Sequence, residues 1–405
     1  MNKLEQQIAE FAEKDFDALV ALRREFHRHP ELGQEEFWTA SRIEEELDKL
    51  GLAHHRCAGT GVVAYVDGTG EGPVLSDAAG RPRSMALRAD IDALPLTEKH
   101  ESDYKSEIPG RMHACGHDVH LTSLLGTARA LCAFRDQFAG RIILVFQPDE
   151  ENGFGGRRMV KEGAVDGATR CFGFHIAPEL KVGTLGIMKG ANNAGVYKFR
   201  MTIRGKGAHV ASPHQGADAL FMAAQVVVAA QALVTRMRDP IQPLLIGFGK
   251  LEAGAAYNIV ADQAVLEGTV RALDPELLEQ TPRRLDQLLQ DTVSLYGGSA
   301  SAEWNMISEM LINTDEAVEE ARQVALSLFG EKRLVVRKQA MIGDDMSDFI
   351  NEVSGCYAFI GTQNPGRPET VHPLHHVCLD VDEDVFKVSV PMTAAYALEY
   401  MRGEI

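Results

Sequence analysis

Apolar residues recur at helical spacing through Leu4, Ile8, Phe11, Phe16, Leu19 and Val20, which predicts a helix over residues 3–28. A second helix is expected over residues 36–50. The pattern then changes to short apolar runs at 61–66, 84–88, 141–146 and 170–175, which read as strands, with a helix over 119–134 between the second and third. Strands alternating with helices predict an α/β layered domain.

From about residue 190 the order differs. A strand at 198–203, a long helix at 217–237, strands at 244–248 and 263–270, a helix at 275–295 and a strand at 301–306 spell βαββαβ. That is the order of a ferredoxin-like unit, here inserted into the larger domain. Helix and strand patterns resume at about Thr314, so the expected division is 1–190 with 312–405, and 191–311. Gly70, Gly72, Pro73 and Gly80 mark a loose surface hairpin between residues 68 and 82.

At 405 residues, two compact units are the natural expectation. Against 58 acidic residues the chain sets 41 basic ones, for a formal net charge of -17, and no local basic patch interrupts the excess. Such a surface repels nucleic-acid phosphates and anionic lipids. No apolar run approaches the roughly 20 residues that span a bilayer, and the start mixes charges throughout, so a cytoplasmic protein is expected. The six cysteines are scattered, as expected of reduced thiols rather than a disulfide scaffold.

Chemistry concentrates in four places. In the run Met112-His113-Ala114-Cys115-Gly116-His117-Asp118-Val119-His120, Cys115 and His117 are two apart. This spacing suits an extended loop that points both side chains the same way, with Asp118 as the N-cap of the next helix. Glu150 and Glu151 follow the apolar strand at 141–146, and open α/β sheets place ligands at such strand ends. His175 ends another strand, and His372, His375 and His376 cluster near the end of the chain. Each group alone suits a solvated surface or a satisfied core residue. Jointly they make a Cys, His and Glu ligand set suited to zinc or a similar transition ion, with Glu150 left to handle a proton. A cysteine nucleophile is the competing chemistry, but it has no need of the glutamate pair.

Several ordered motifs carry a resemblance: Arg23-Arg24-Glu25-Phe26-His27-Arg28-His29-Pro30-Glu31-Leu32, Arg88-Ala89-Asp90-Ile91-Asp92-Ala93-Leu94-Pro95, the histidine-rich run above, Gln147-Pro148-Asp149-Glu150-Glu151, Gly173-Phe174-His175-Ile176, the stretch from Gly205 to His214, and Leu374-His375-His376. Over nearly its whole length the chain resembles the metal-dependent aminoacylase/carboxypeptidase family, in its amidohydrolase branch. The resemblance implies a catalytic domain with a central, mostly parallel sheet flanked by helices, and a lid domain that makes a homodimer. It implies Cys115, His117, Glu151, His175 and His375 as ligands of one or two divalent ions (zinc, manganese, cobalt or nickel), with His376 a second candidate beside His375. Glu150 is implied as general base, Asp92 as the carboxylate orienting the ligands, His209 as a partner-subunit group stabilising the oxyanion, and Asn258 as a substrate contact.

The implied activity is cleavage of the amide bond of an N-acyl amino acid or related small amide. A dipeptidase or carboxypeptidase, a hydrolase releasing an aromatic amine, and a non-catalytic metal-dependent binding protein are the alternatives. The chain departs from the family in three places: Asp149 stands where alanine is usual, His376-Val377-Cys378 stands where a proline and an aromatic are common, and Gly343-Asp344-Asp345-Met346-Ser347-Asp348-Phe349 varies an acidic pocket loop and points to an unusual substrate preference.

Overall fold

The structure, a computed structural model, describes residues 1–405. Two compact units divide the chain: Met1–Gly190 with Ile312–Lys338 and Asp345–Ile405, and Ala191–Leu311 with Gln339–Asp344. The return of Gln339–Asp344 to the second unit departs from the expected division. Backbone hydrogen bonds between Ala340 and both Asn192 and Ala194 hold that segment there.

In the first unit, helices α1 (Lys3–Arg28) and α2 (Phe37–Lys49) lead into strands β1 (Ala53–Cys57), β2 (Gly61–Asp67) and β3 (Ser84–Asp90). Helix α3 (His117–Ala133), β4 (Arg141–Gln147), α4 (Gly155–Lys161), β5 (Arg170–Lys181) and β6 (Leu185–Gly186) follow. The capping box at Asn2 and Glu5 starts α1, and the helix buries Ile8, Leu19, Leu22 and Phe26. Strand β1, in which the polar residues His54, His55 and Arg56 are consecutive, was not expected from the apolar pattern.

The sheet order is β1-β2-β4-β3-β5-β13-β6, where β13 is the late strand Gly355–Gln363. Its four interior strands β4, β3, β5 and β13 run parallel, while β2, β1 and β6 add antiparallel pairings, so the sheet is mixed. The parallel interior is buried on both faces, which is why β3, β4 and β13 read as nearly continuous apolar runs. Helices α1 and α3 pack with one another and with the late helix α9 (Phe386–Arg402). The expected hairpin is present, closed by a Ser76–Pro82 bridge and by Asp77, whose carboxylate accepts from Ala79 and Arg81 N–H.

Short strand β7 (Gly190–Asn193) precedes the second unit proper, which is β8 (Gly195–Arg204), α5 (Ala219–Thr235), β9 (Leu244–Ala253), β10 (Gln263–Ala272), α6 (Pro275–Leu295) and β11 (Ser299–Ser308). Every pairing in its β11-β8-β10-β9 sheet is antiparallel. Along β8, Phe199, Met201 and Ile203 alternate inward against Met222 and Val226 of α5 and Leu285, Leu289 and Val293 of α6. Asp218 and Asp274 cap the two helices through hydrogen bonds to Leu220 and Leu277 N–H at 3.0 and 2.9 Å. The chain continues through β12 (Leu311–Asn313), α7 (Asp315–Phe329) and α8 (Met346–Glu352) to β13 and α9.

Candidate metal centre

Three of the parallel strands deliver side chains to one place. Asp90 ends β3, with Asp92 just beyond it, Glu150 and Glu151 follow β4, and His175 lies within β5. Cys115 and His117 arrive from the turn into α3. There Gly116 is the N-cap, with φ 87°, and a Cβ at this position would lie 2.3 Å from Ile176 Cδ1. Both the conformation and the close approach require glycine. The cap is therefore not Asp118, as the spacing suggested. Asp118 falls in the first helical turn, and its carboxylate is directed to Arg23 and His27 instead.

Of the four non-glycine residues with left-handed backbone, two belong to the loops that carry these side chains, Asp149 at φ 58° and His375 at φ 63°. Asp149 is buried and held there, its N–H donating to Glu36 Oε1 at 2.9 Å and its carboxylate accepting from Gln34 and Asn152. His375 donates its N–H to Ala114 O at 2.7 Å, which ties the late loop to the Cys115 turn.

The donor atoms of Cys115, His117 and His175 lie within 4.8 Å of one another, as do those of Cys115, Glu151 and His375, and those of His117, Glu150 and Glu151. Within this cluster Cys115 Sγ is 3.4 Å from His175 Nε2, His375 Nε2 is 3.4 Å from Glu151 Oε1, and His117 Nε2 is 3.9 Å from Glu150 Oε2. The structure thus gathers Cys115, His117, Glu150, Glu151, His175 and His375. His376 turns elsewhere, with its ring stacked on His372 at 4.3 Å.

Hydrogen bonds fix the imidazoles. His117 Nδ1–H donates to Asp92 O at 2.8 Å, with Asp92 Oδ1 at 3.1 Å, which leaves Nε2 facing inward, buried and without a hydrogen bond. His175 Nδ1–H donates to Ile176 O at 2.7 Å, so its Nε2 lone pair faces Cys115. The second oxygen of Asp92 accepts the Glu151 N–H at 3.0 Å, so one carboxylate orients two of the gathered residues. His120 shows the opposite arrangement. Its Nδ1–H donates to Asp90 at 2.6 Å and its Nε2 accepts the Ile176 N–H at 2.9 Å, so neither nitrogen is left for an ion.

The electrostatics fit a cation. Burial, reinforced by Glu151, Glu150 and Asp90, pushes the Cys115 thiol well above its ordinary range. Burial pulls His117 down, but Asp90, Asp92 and Glu151 more than reverse it and raise its pKa to about 10. Burial and the neighbouring His120 hold His175 well below 6.5. A thiol held protonated beside carboxylates, and a buried His117 Nε2 without a hydrogen-bond partner, are both resolved by a divalent ion that takes the thiolate and displaces the imidazole proton. The mixed sulfur, nitrogen and oxygen set suits a borderline-soft transition metal.

Sequence reading missed the charged frame behind these residues. Arg88 donates to Asp90, Gln147 and Asp345 at 2.7, 2.7 and 2.9 Å, and Asp345 also accepts from Gln147 and from the Gly156 N–H. Asp345, expected in a substrate-pocket loop, therefore serves to tie strand ends together. Arg23 is buried against Asp118, Asp380 and Glu383 at 2.6, 3.2 and 3.4 Å. The motifs around Arg23, Arg88 and Asp345 were visible in the sequence, but a buried arginine's partners lie far along the chain.

The other two expected residues lie in the second unit. His209 and Asn258 are exposed neighbours there, joined by the Val210 N–H to Asn258 O bond of 3.1 Å and a His209–Ile259 bridge.

Residues 86–399 match the model of peptidase family M20/M25/M40. The chain is 34% identical to an IAA-amino acid hydrolase of Arabidopsis thaliana, covering 95% of this chain and 87% of that one. It is 35% identical to the N-acetyl-L-cysteine deacetylase of Bacillus subtilis, with 90% and 84% covered. The crystal structure of a Bacillus subtilis dinuclear metal binding peptidase superposes with a TM-score of 0.82 at 27% identity, covering 96% of this chain and 99% of that one. The chain belongs to peptidase family M20/M25/M40 and is a metallohydrolase acting on carbon–nitrogen bonds.

Proposed function

We propose that the chain cleaves the amide bond of an N-acyl amino acid or related small amide, with Glu150 as general base. The observation that carries this reading is the convergence of Cys115, His117, Glu151, His175 and His375 with the carboxylate of Glu150 beside His117. Those five residues would hold one or two divalent ions. Bound there, such an ion polarises an amide carbonyl and acidifies water.

Glu150 takes the proton of the attacking water and returns it to the leaving amine. Asp92 keeps His117 and Glu151 aimed inward through its two oxygens. His209 of the partner subunit would stabilise the oxyanion and Asn258 would contact the substrate, both being exposed side chains with donor groups. The hydrolase and deacetylase names of the similar chains support an acyl amino acid as substrate. A homodimer through the second unit and a cytoplasmic setting complete the proposal. The six free cysteines suit a reducing compartment, and no helix is long and apolar enough to cross a membrane.

The test is a panel of N-acetyl, N-benzoyl and indolylacetyl amino acids on metal-reconstituted protein, with chelator and Glu150→Gln controls. Dipeptides form a second arm, because the superposing crystal structure is that of a peptidase. Chelator-sensitive release of the amino acid from the acyl arm, lost in Glu150→Gln with metal content unchanged, is expected. Release from dipeptides alone would move the assignment to a dipeptidase, and full activity of Glu150→Gln would remove Glu150 as base.

A further inference from the structure

The loop that carries His375 holds a second set of donors. His372, His376 and Cys378 offer ligand atoms all within 4.8 Å of one another. The two imidazoles stack at 4.3 Å with 9° between their planes, and all three residues are half-buried. Cys378 is a free thiol, and it sits with His376 where the family resemblance leads one to expect a proline and an aromatic.

The backbone explains how one short loop can face two ways. His375 takes φ 63°, and this left-handed residue turns the chain so that His375 meets Glu151 while His376 meets His372. Leu374 and Leu379 pack into a small apolar cluster with Met112 and Ala114, and main-chain bonds from His375 to Ala114 and from Lys99 to Val377, both 2.7 Å, pin the segment. The three donors thus start near one another, and binding has to rotate one ring out of the stack, because parallel ring planes do not direct both in-plane lone pairs at one ion. Only one polar contact competes: the Cys378 N–H donates to His376 Nδ1 at 3.1 Å.

We propose that His372, His376 and Cys378 form an auxiliary site for a borderline-soft divalent metal, zinc being the type, distinct from the centre at Cys115. Two imidazoles and a thiolate supply three of the four positions of a tetrahedral ion, and water takes the fourth. On binding, the Cys378 thiol releases its proton to solvent. The ion displaces the Cys378 N–H from His376 Nδ1, and His376 keeps its proton on Nε2. The site shares a loop with His375 but no ligand with the inner cluster, so it can be tested whether or not the proposed hydrolysis holds.

Zinc is titrated into chelator-stripped full-length protein and counted by elemental analysis. One more zinc per chain is expected in the wild type than in Cys378→Ser or His372→Ala, and equal counts would overturn the site. In Cys115→Ser protein loaded with cobalt, a thiolate-to-metal charge-transfer absorption should persist and should disappear in the Cys115→Ser/Cys378→Ser double variant. Its absence from Cys115→Ser would refute the thiolate ligand. A third measurement needs no variant: zinc at about ten times its Kd should slow modification of Cys378 in the wild type by about tenfold, read by peptide mapping after a thiol reagent. An unchanged rate would also refute the assignment.

Discussion

The two units differ most in what they bury. The second unit's buried polar side chains are Asn192, Asn193, Thr281, Ser308 and Asp344, so Asp344 is its single buried ionisable group. The first unit buries Arg23, His27, Arg88, Asp90, Asp92, His117, Asp118, His120 and His175, among others. An antiparallel sheet with two helices can be stabilised by apolar packing alone. Parallel strands whose carboxyl ends converge on a cluster of potential metal ligands need a charged frame to hold those ends, and each frame member is satisfied only by its partners. The first unit thus couples its stability to its chemistry, and the second does not.

Substitutions can break or sharpen that contrast. The largest effect expected is that of Glu150→Gln, about 10²–10⁴-fold in kcat, with metal content and melting temperature close to wild type. Arg23→Met leaves Asp118, Asp380 and Glu383 without their shared cation. It should destabilise the first unit by about 3–5 kcal/mol in denaturant unfolding and lower activity as well, since Asp118 directly follows His117. An Arg23→Met protein with wild-type stability would show that the frame is dispensable.

Leu285→Ala opens a cavity in the apolar core of the second unit and should cost about 2–5 kcal/mol. Metal content and the inward geometry at Cys115 should survive; loss of metal would break the contrast from the other side. His209→Ala, at an exposed position, should leave stability unchanged and lower kcat by about 10²-fold, as removal of an oxyanion donor does.

The smallest effect is one of pH. Burial and Arg23 pull the His27 pKa down, but Asp118 and Glu98 outweigh them and hold it at about 9. An unfolded histidine titrates near 6.5. Because the folded value is the higher one, this stabilisation is complete below about 6.5 and is lost as pH rises through about 9. The melting temperature of the wild type should therefore fall more over this window than that of His27→Gln; parallel slopes would assign the pH dependence to other groups.

Much of this was legible in the sequence because the signals are local. The strands at 61–66, 84–88 and 141–146, the βαββαβ order of the second unit, and the motifs holding Cys115, His117, Glu150 and His175 all lie within short windows. What was not legible depends on pairing across long separations. Asp345 reaches Arg88 across 257 positions and Arg23 reaches Glu383 across 360, so composition gave no hint of either. The N-cap was misplaced at Asp118 for a related reason: a capping side chain was expected where glycine is required by the nearby Ile176, and Asp118 was already committed to Arg23. Which of His375 and His376 faces Glu151 turns on a single left-handed residue, which periodicity cannot reveal.

The sheet order also bears on how the protein is made. Strand β13 lies between β5 and β6, and α9 packs against both α1 and α3, so the first unit cannot close until the last helix has left the ribosome. The second unit's four-stranded sheet and two helices are complete by Ser308. During synthesis that apolar body can fold while β5 still lacks its neighbour, leaving one open strand edge until Gly355–Gln363 emerges.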